Sequence, residues 1–152
     1  MVVGIFICSP ISAFYTLLGS TISTLTAMGL GASTYTLYQG LWGFSAVLSS
    51  IAIGGMFFVA DSWALFRYAV IASAFTAVVH GSVVSFMAPF GLPGYTFPFN
   101  VVAWLFCLAG KQMSNLMPVE ISKMSTPEEH IDRIKLCKKL TSIVKQELPN
   151  YP

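Results

Sequence analysis

Charge is what this sequence has least of, and its few charged residues are unevenly placed. Only 9% of the 152 residues are charged, whereas about 25% is usual for a soluble domain. Residues 1–110 carry only Asp61 and Arg67, so 12 of the 14 charged residues lie in residues 111–152. The helices of a soluble fold need a polar face toward water. Residues 1–110 are therefore predicted to form a membrane domain, and residues 111–152 a separate polar tail.

Residues that could act in catalysis or bind metals are also scarce. The three cysteines, Cys8, Cys107 and Cys137, are widely spaced and form no metal-binding or disulfide pattern. Residues 1–110 offer no nucleophile paired with a base and no group of carboxylates. No basic patch interleaved with aromatic residues indicates a nucleic-acid partner. The sequence therefore argues against an enzyme and predicts no metal site, no cofactor and no binding of nucleic acid.

His80 lies within an apolar run and has two interpretations. An intramembrane histidine can act in a proton relay or line a pore. It can equally pack between helices and bond to a neighbouring hydroxyl group. The sequence alone leaves both open.

Long apolar runs predict an all-α integral membrane fold. A membrane span needs about 20 apolar residues, and residues 11–30, 41–60 and 63–88 each provide such a run. A fourth run, residues 98–110, is apolar but short. Pro10 separates residues 2–9 from the first long run, and that stretch is too short to cross a bilayer. We expect about four complete transmembrane helices after an N-terminal remnant of another helix.

The start of the fourth helix also has two interpretations, because residues 91–98 have the sequence GLPGYTFP and are rich in helix breakers. If Pro98 is the first helical residue, the helix to Gly110 is about 20 Å long, against a hydrocarbon core of about 30 Å. The non-helical backbone before it would then lie at depth, which is tolerated where it is buried in protein or lines a wet cavity. In the alternative, the helix begins at Pro93 and spans the membrane.

The tail carries most of the basic residues, and these predict its orientation. Seven Lys or Arg residues follow Gly110, which places the tail in the cytoplasm. Counting back through the helices places Arg67 on the same side. The sequence TPEE at residues 126–129 predicts a short helix with Pro127 in its first position. The lysines of this tail helix face either anionic lipid headgroups or water.

The apolar region is rich in hydroxyl groups and nearly free of charge. Such a lining suits a neutral polar solute better than an ion, because an ion needs charged rings or many carbonyl oxygens. Thr96 offers a hydrogen-bond donor and an acceptor. Phe90, Phe97 and Phe99 can supply flat apolar walls beside it.

Two motifs and the tail resemble one protein family. The sequences GLWGFS at residues 40–45 and AIGGMF at residues 52–57 resemble the GLWGFN…AxGGMF stretch of vertebrate-type urea transporters. GLPGYTFPF at residues 91–99 resembles their LPxxTxPF signature. MPVEISK at residues 117–123, with TPEE after it, resembles their C-terminal end. The likeness runs from about residue 5 to residue 140.

The resemblance implies a fold and a set of partners. Such proteins contain two inverted halves, each with several transmembrane helices and one half-spanning helix, and the pore lies between the halves. They assemble as trimers in the membrane and pass urea without a cofactor. This chain resembles the second half, and we interpret it as a fragment or short isoform. Its expected partners are urea, the lipid bilayer, and further copies of itself or of full-length family members. Its expected location is the plasma membrane, with several spans.

The resemblance also assigns residues. Thr96 matches the family threonine near the middle of the pore, Phe97 lies beside it, and Leu48 lies near the region that supplies apolar walls. The residues that shape the backbone are Gly40, Leu41, Trp42, Gly43, Leu92, Pro93, Pro98 and Phe99. The implied function is passive, channel-type transport of urea. The alternative is a non-conducting membrane subunit that associates with full-length transporter and regulates its assembly.

Overall fold

The computed structural model describes residues 2–147, and this range is mostly helical. Its α-helices are α1 (Val2–Cys8), α2 (Pro10–Gly29), α3 (Thr34–Tyr38), α4 (Leu41–Ile51), α5 (Trp63–Met87), α6 (Phe97–Lys111) and α7 (Pro127–Glu147). The described residues hold no β-strand beyond an isolated bridge between Phe58 and Pro118. The predicted all-α class is confirmed.

Within residues 2–147, two helices are long and apolar enough to cross a membrane: α2, and α5 together with the 3-10 turn that extends it to Phe90. Two other apolar helices are shorter. One is α4 with the π-helical turn Ala52–Met56 that continues it, and the other is α6. At 1.5 Å per residue these are about 24 Å and 22 Å long, shorter than the hydrocarbon core of about 30 Å. The apolar runs thus form helices, although the second helix ends at Met56 rather than at residue 60. The count of four complete spans stays a prediction.

The break between α1 and α2 follows from Ser9 and Pro10. The Ser9 hydroxyl accepts a hydrogen bond from the N–H of Ser12 at 3.0 Å and so caps α2. Pro10 is the first helical residue, where a missing N–H has no consequence. This confirms that Pro10 separates the first residues from the first long helix.

Small residues allow α2, α4 and α5 to pack closely together. A Cβ atom on Gly19 of α2 would lie 2.8 Å from the carbonyl oxygen of Ala46 and 3.1 Å from Cα of Val47. Between α4 and α5, the buried Thr76 hydroxyl lies 2.8 Å from Oγ of the buried Ser49. Close backbone approach and shared hydroxyl bonds are typical of helix packing in a lipid environment.

The segment after α6 folds back on the end of the π-helical turn. The N–H of Val59 donates to the Met117 carbonyl at 3.0 Å, and the N–H of Val119 donates to the Phe57 carbonyl at 2.8 Å. Phe58 between them is almost fully buried and belongs to an apolar cluster with Ile53, Leu65, Ala72 and Leu116. This cluster holds the polar tail against the membrane-type helices.

The tail helix α7 also docks on the N-terminal helices. The Glu128 carboxylate accepts hydrogen bonds from the N–H of Ile11 at 2.9 Å and from the hydroxyl of Ser9 at 2.8 Å. Burial acts to raise the pKa of Glu128, but those two bonds and a bond from its own N–H together lower it below its usual value. The carboxylate therefore lies at the N-termini of both α2 and α7, where a negative charge is stabilising.

A second contact of the tail involves His130 and the π-helical turn. His130 is only 4% exposed, and its Nδ1 lies 3.2 Å from the Gly55 carbonyl oxygen. Its Nε2 accepts the N–H of Ser125 at 2.9 Å, so Nδ1 carries the proton and donates to Gly55. Pro127 lies directly over Gly55, where a Cβ atom would be 2.5 Å from its ring. The sequence predicts the start of α7 at Pro127 correctly, but it does not predict that this start is docked.

Candidate functional site

The segment before α6 decides between the two interpretations of the fourth helix. Residues 91–96 are non-helical, and α6 begins at Phe97, one residue before Pro98 and not at Pro93. Of the two possible starts, the one near Pro98 is therefore the one observed, and α6 is a short helix. Gly91 has φ +65° and Tyr95 has φ +39°, in the left-handed region that non-glycine residues rarely adopt. The sharp reversal between α5 and α6 thus depends on two left-handed residues.

Thr96 lies at the turn into α6, with its side chain exposed. It occupies the N-cap position, yet its side chain forms no capping hydrogen bond. Among residues 2–147 its hydroxyl has no hydrogen-bond partner within the chain. A hydroxyl group in this state can both donate to and accept from a small polar solute.

Exposed apolar side chains flank this hydroxyl along the chain. We define the Thr96 edge as Phe90, Leu92, Tyr95, Thr96 and Phe97, whose apolar members are all more than half exposed. No residue of the edge carries a charge. The edge therefore offers the hydroxyl groups of Thr96 and Tyr95 beside apolar, mostly flat side chains, and this suits a neutral solute better than an ion.

The other hydroxyl groups of the apolar region are mostly occupied. Serine and threonine side chains commonly bond to a carbonyl one turn earlier in their own helix. Those that do so here include Thr16, Thr21, Thr24, Thr26, Ser73 and Ser82. The buried exceptions within the described residues are Ser45 and Ser50, whose Oγ atoms have no partner. The hydroxyl-rich composition thus reflects helix packing more than a solute path.

The remaining predicted residues lie on elements next to the edge. Leu48 is half-buried on α4, a helix that contacts α6. Pro98 is fully buried and Phe99 is half-buried in the first turn of α6, whereas Pro93 is exposed in the loop. Leu48 therefore lies on a helix next to α6, and Pro98 packs in the interior at the start of α6. No described contact joins Leu48 directly to Thr96.

The GLWG motif lies at the start of α4. Gly40 has φ +72° and precedes the helix as its N-cap, followed by an exposed Leu41 and a half-buried Gly43. The Trp42 ring packs on His80, with ring centroids 5.2 Å apart. Trp42 also lies over Gly81, where a Cβ atom would be only 2.8 Å from the indole. The motif therefore fixes the contact between α4 and α5.

His80 is 4% exposed and packed between helices. Its Nδ1 has no hydrogen-bond partner in the part of the chain that the structure describes. This favours the packing interpretation over a pore role, although the partner is the Trp42 ring rather than the hydroxyl group that was expected.

Taken together, the fold and the edge define a class of protein. Residues 2–147 form a helical structure with two helices able to cross a bilayer, largely apolar outer faces and an uncharged edge at a half-length helix. Among the described residues, no group of three His, Cys, Asp or Glu side chains could hold a metal ion. This is the composition of a membrane protein rather than of a soluble domain.

Comparison with known proteins gives the family. The family model described as "Urea transporter" matches residues 1–111. A protein named "Urea transporter 1" from Ovis aries is 36% identical over 127 residues, which cover 84% of this chain and 33% of the relative. The protein of the same name from Mus musculus is 33% identical over 132 residues, which cover 84% of this chain and 34% of the relative. The chain belongs to the urea transporter family.

The family is one of membrane transport proteins rather than enzymes, in agreement with the interpretation of the sequence. The chain spans about a third of the length of the curated relatives it matches. The matched region includes α1 to α6 and ends at Lys111, the last residue of α6.

Proposed function

We propose that this protein provides passive, channel-type transport of urea across the plasma membrane. Membership of the urea transporter family supports the choice of solute. The observation that carries the proposal is the Thr96 edge, where an unpaired hydroxyl group lies among exposed apolar side chains at the start of a half-length helix. Urea is flat and neutral, with N–H donors and a carbonyl acceptor.

The chemistry of the edge matches the needs of such a solute. The Thr96 hydroxyl accepts from a urea N–H or donates to its carbonyl, while the exposed Phe97 and Tyr95 offer flat surfaces next to it in the chain. Leu48 on the neighbouring α4 adds a further apolar wall. Urea loses hydrogen bonds to water when it enters the site, and the hydroxyl group partly replaces them. Because urea is neutral, the site needs no charged residues, which an ion would require. Flux then runs down the urea gradient.

The proposed architecture is one half of an inverted-repeat channel. Residues 1–110 form the membrane domain with about four complete spans, and residues 111–152 form the cytoplasmic tail. The apolar helices and the excess of basic residues after Gly110 support this division. The oligomer we propose is a homotrimer, or an association with longer family members.

The alternative function is that of a non-conducting subunit that binds longer family members and regulates their assembly. One observation favours it. The apolar side chains of the Thr96 edge are exposed and lack a covering wall within the described residues, so a second polypeptide could complete that surface. Under this alternative the chain co-purifies with a full-length family member, and vesicles that contain the chain alone show no urea flux.

The experiment that tests the first proposal is stopped-flow light scattering on vesicles that contain the purified 152-residue chain. Urea-driven volume change should be faster than in empty vesicles of the same lipid. It should not change when proton and sodium gradients are dissipated, because passive flux depends only on urea. Flux that equals that of empty vesicles, from protein shown to be inserted and helical, contradicts the channel proposal.

A further inference from the structure

Arg67 lies in a pocket that the transport proposal does not use. It is the sole Lys or Arg of residues 1–110, and it is exposed in the second turn of α5. Its guanidinium group forms no hydrogen bond or ion pair with any side chain that the structure describes. The pocket around it measures about 450 Å³. A positively charged side chain in a membrane-type helix usually pairs with another group. Since Arg67 has no such partner among the described side chains, we expect an anion from outside the protein to pair with it.

The other polar groups of the pocket come from the loop that follows α6. Gln112, Ser114 and Asn115 line it together with Arg67, and no Asp or Glu does. The nearby Asp61 is engaged instead with Lys138 of α7, at 3.5 Å. A guanidinium group surrounded by neutral amide and hydroxyl donors matches phosphate oxygens, which accept several hydrogen bonds at once.

The depth of the pocket is that of a lipid headgroup. Trp63, at the start of α5, is 69% exposed and stacked on Phe66, in the manner of aromatic residues at a membrane surface. Arg67 lies one turn further along, about 6 Å deeper, and long side chains of a helix point back toward its N-terminus. The guanidinium group is thus directed toward the level of the phosphates.

The register between α5 and α6 supports the same depth. The Tyr68 hydroxyl, next to Arg67 in sequence, donates to the Phe106 carbonyl at 2.7 Å. Phe106 lies five residues before Lys111, the last residue of α6. The C-terminal end of α6 and the N-terminal end of α5 therefore lie at the same end of the helix bundle, and the pocket lies between them.

The rest of the pocket is apolar and open to the outside. Ala64, Ile71, Met113 and Leu116 line it, and both Ile71 and Met113 are at least half exposed. An acyl chain can lie against these side chains while its phosphate meets Arg67. We propose that this pocket binds the headgroup of an anionic phospholipid. A zwitterionic lipid fits less well, since its headgroup carries no net negative charge to match the guanidinium group.

The test is native mass spectrometry of the purified 152-residue chain, titrated with dioleoyl phosphatidylserine or with dioleoyl phosphatidylcholine. The wild-type protein should retain one phosphatidylserine per chain in preference to phosphatidylcholine. Arg67→Gln should weaken phosphatidylserine retention about ten-fold, because it removes the charge-assisted bonds. Arg67→Lys, which keeps the charge but loses the bidentate fork, should give an intermediate loss.

The matched control is Lys111→Gln, which removes a positive charge at the same face but outside this pocket. It should leave retention of phosphatidylserine within about two-fold of wild type. Equal losses in Arg67→Gln and Lys111→Gln would overturn the proposal, since they would indicate diffuse charge rather than a site. Unchanged retention in Arg67→Gln would overturn it as well. Displacement of the bound lipid by inorganic phosphate alone would overturn the lipid assignment in favour of a soluble anion.

Discussion

Replacing Glu128 with glutamine should release the start of α7 from the start of α2. The Glu128 carboxylate accepts the N–H of Ile11 at 2.9 Å and the hydroxyl of Ser9 at 2.8 Å. Both donors belong to the N-terminal turn of α2, where the helix dipole favours negative charge. Glutamine preserves the length of the side chain and one acceptor oxygen, but it removes the charge.

The size of the effect follows from these bonds. A hydrogen bond to a charged group contributes about 1.5–3 kcal/mol, against about 1 kcal/mol for a neutral bond. Glutamine keeps one neutral bond, so the docked state should lose about 2 kcal/mol. At 1.4 kcal/mol for each factor of ten, this is a shift of about 30-fold toward the undocked state.

Hydrogen exchange measured by mass spectrometry on peptides covering residues 9–16 reports this shift directly. Exchange there should be about 30-fold faster in Glu128→Gln than in wild type. Glu129→Gln is the matched control, because the Glu129 carboxylate accepts hydrogen bonds from Ser125 and Arg133 within the tail and none from α2 among the described residues. Equal exchange in the two variants would refute the assignment of docking to the Glu128 carboxylate.

The same contact predicts a pH dependence with a definite sign. The pKa of Glu128 is lowered in the docked state, so the charged form binds and protonation opposes docking. Above pH 4.5, the ordinary pKa of this carboxyl group, docking should stay constant. Hydrogen exchange in residues 9–16 should therefore change with pH there only as the intrinsic rate of amide exchange does. Docking should be lost as the pH falls through the lowered pKa. Glu128→Gln should lack this transition.

Two glycine substitutions test the packing of the helices. Gly19→Ala should destabilise the protein by about 1–3 kcal/mol, because its Cβ would lie 2.8 Å from the backbone oxygen of Ala46; Gly29→Ala, on the same helix with open space around it, is the control. Equal thermal midpoints in detergent for these two variants would contradict the close approach of α2 and α4. Gly91→Ala should cost about 1 kcal/mol, because φ is +65° there while space is free, and Gly91→Asn should recover part of the loss. A midpoint in Gly91→Ala at or above wild type would show that the turn does not need the left-handed conformation.

The helices were largely predictable because their causes are local. Apolar runs predict α2 and α5 to within a few residues, and the helix breakers before Pro98 limit the start of α6 to two positions, one near Pro98 and one at Pro93. Pro10 marks the start of α2 in the same way. These signals lie within a few residues of the feature that they determine.

Contacts between distant residues were not predictable in this way. The bond between Glu128 and Ile11 joins residues 117 positions apart, and the sequence of the tail reads equally well as a free, solvated helix. The π-helical turn at Ala52–Met56 likewise depends on tertiary packing, with Tyr15 over Gly54 and Pro127 over Gly55. Composition alone also suggested more hydroxyl groups facing a solute than the structure shows. A serine that bonds to its own helix cannot be told apart in the sequence from one that faces a solute.

The central claim is that urea passes the Thr96 edge, and urea flux through vesicles containing Thr96→Val tests it most directly. Valine keeps the shape of threonine but removes its donor and acceptor. Loss of one hydrogen bond of about 1 kcal/mol should slow urea flux about five-fold relative to the wild-type chain. Thr21→Val is the matched control, because the exposed Thr21 hydroxyl bonds to its own helix at Leu17 and should leave flux unchanged. Equal flux in wild type, Thr96→Val and Thr21→Val would contradict the account.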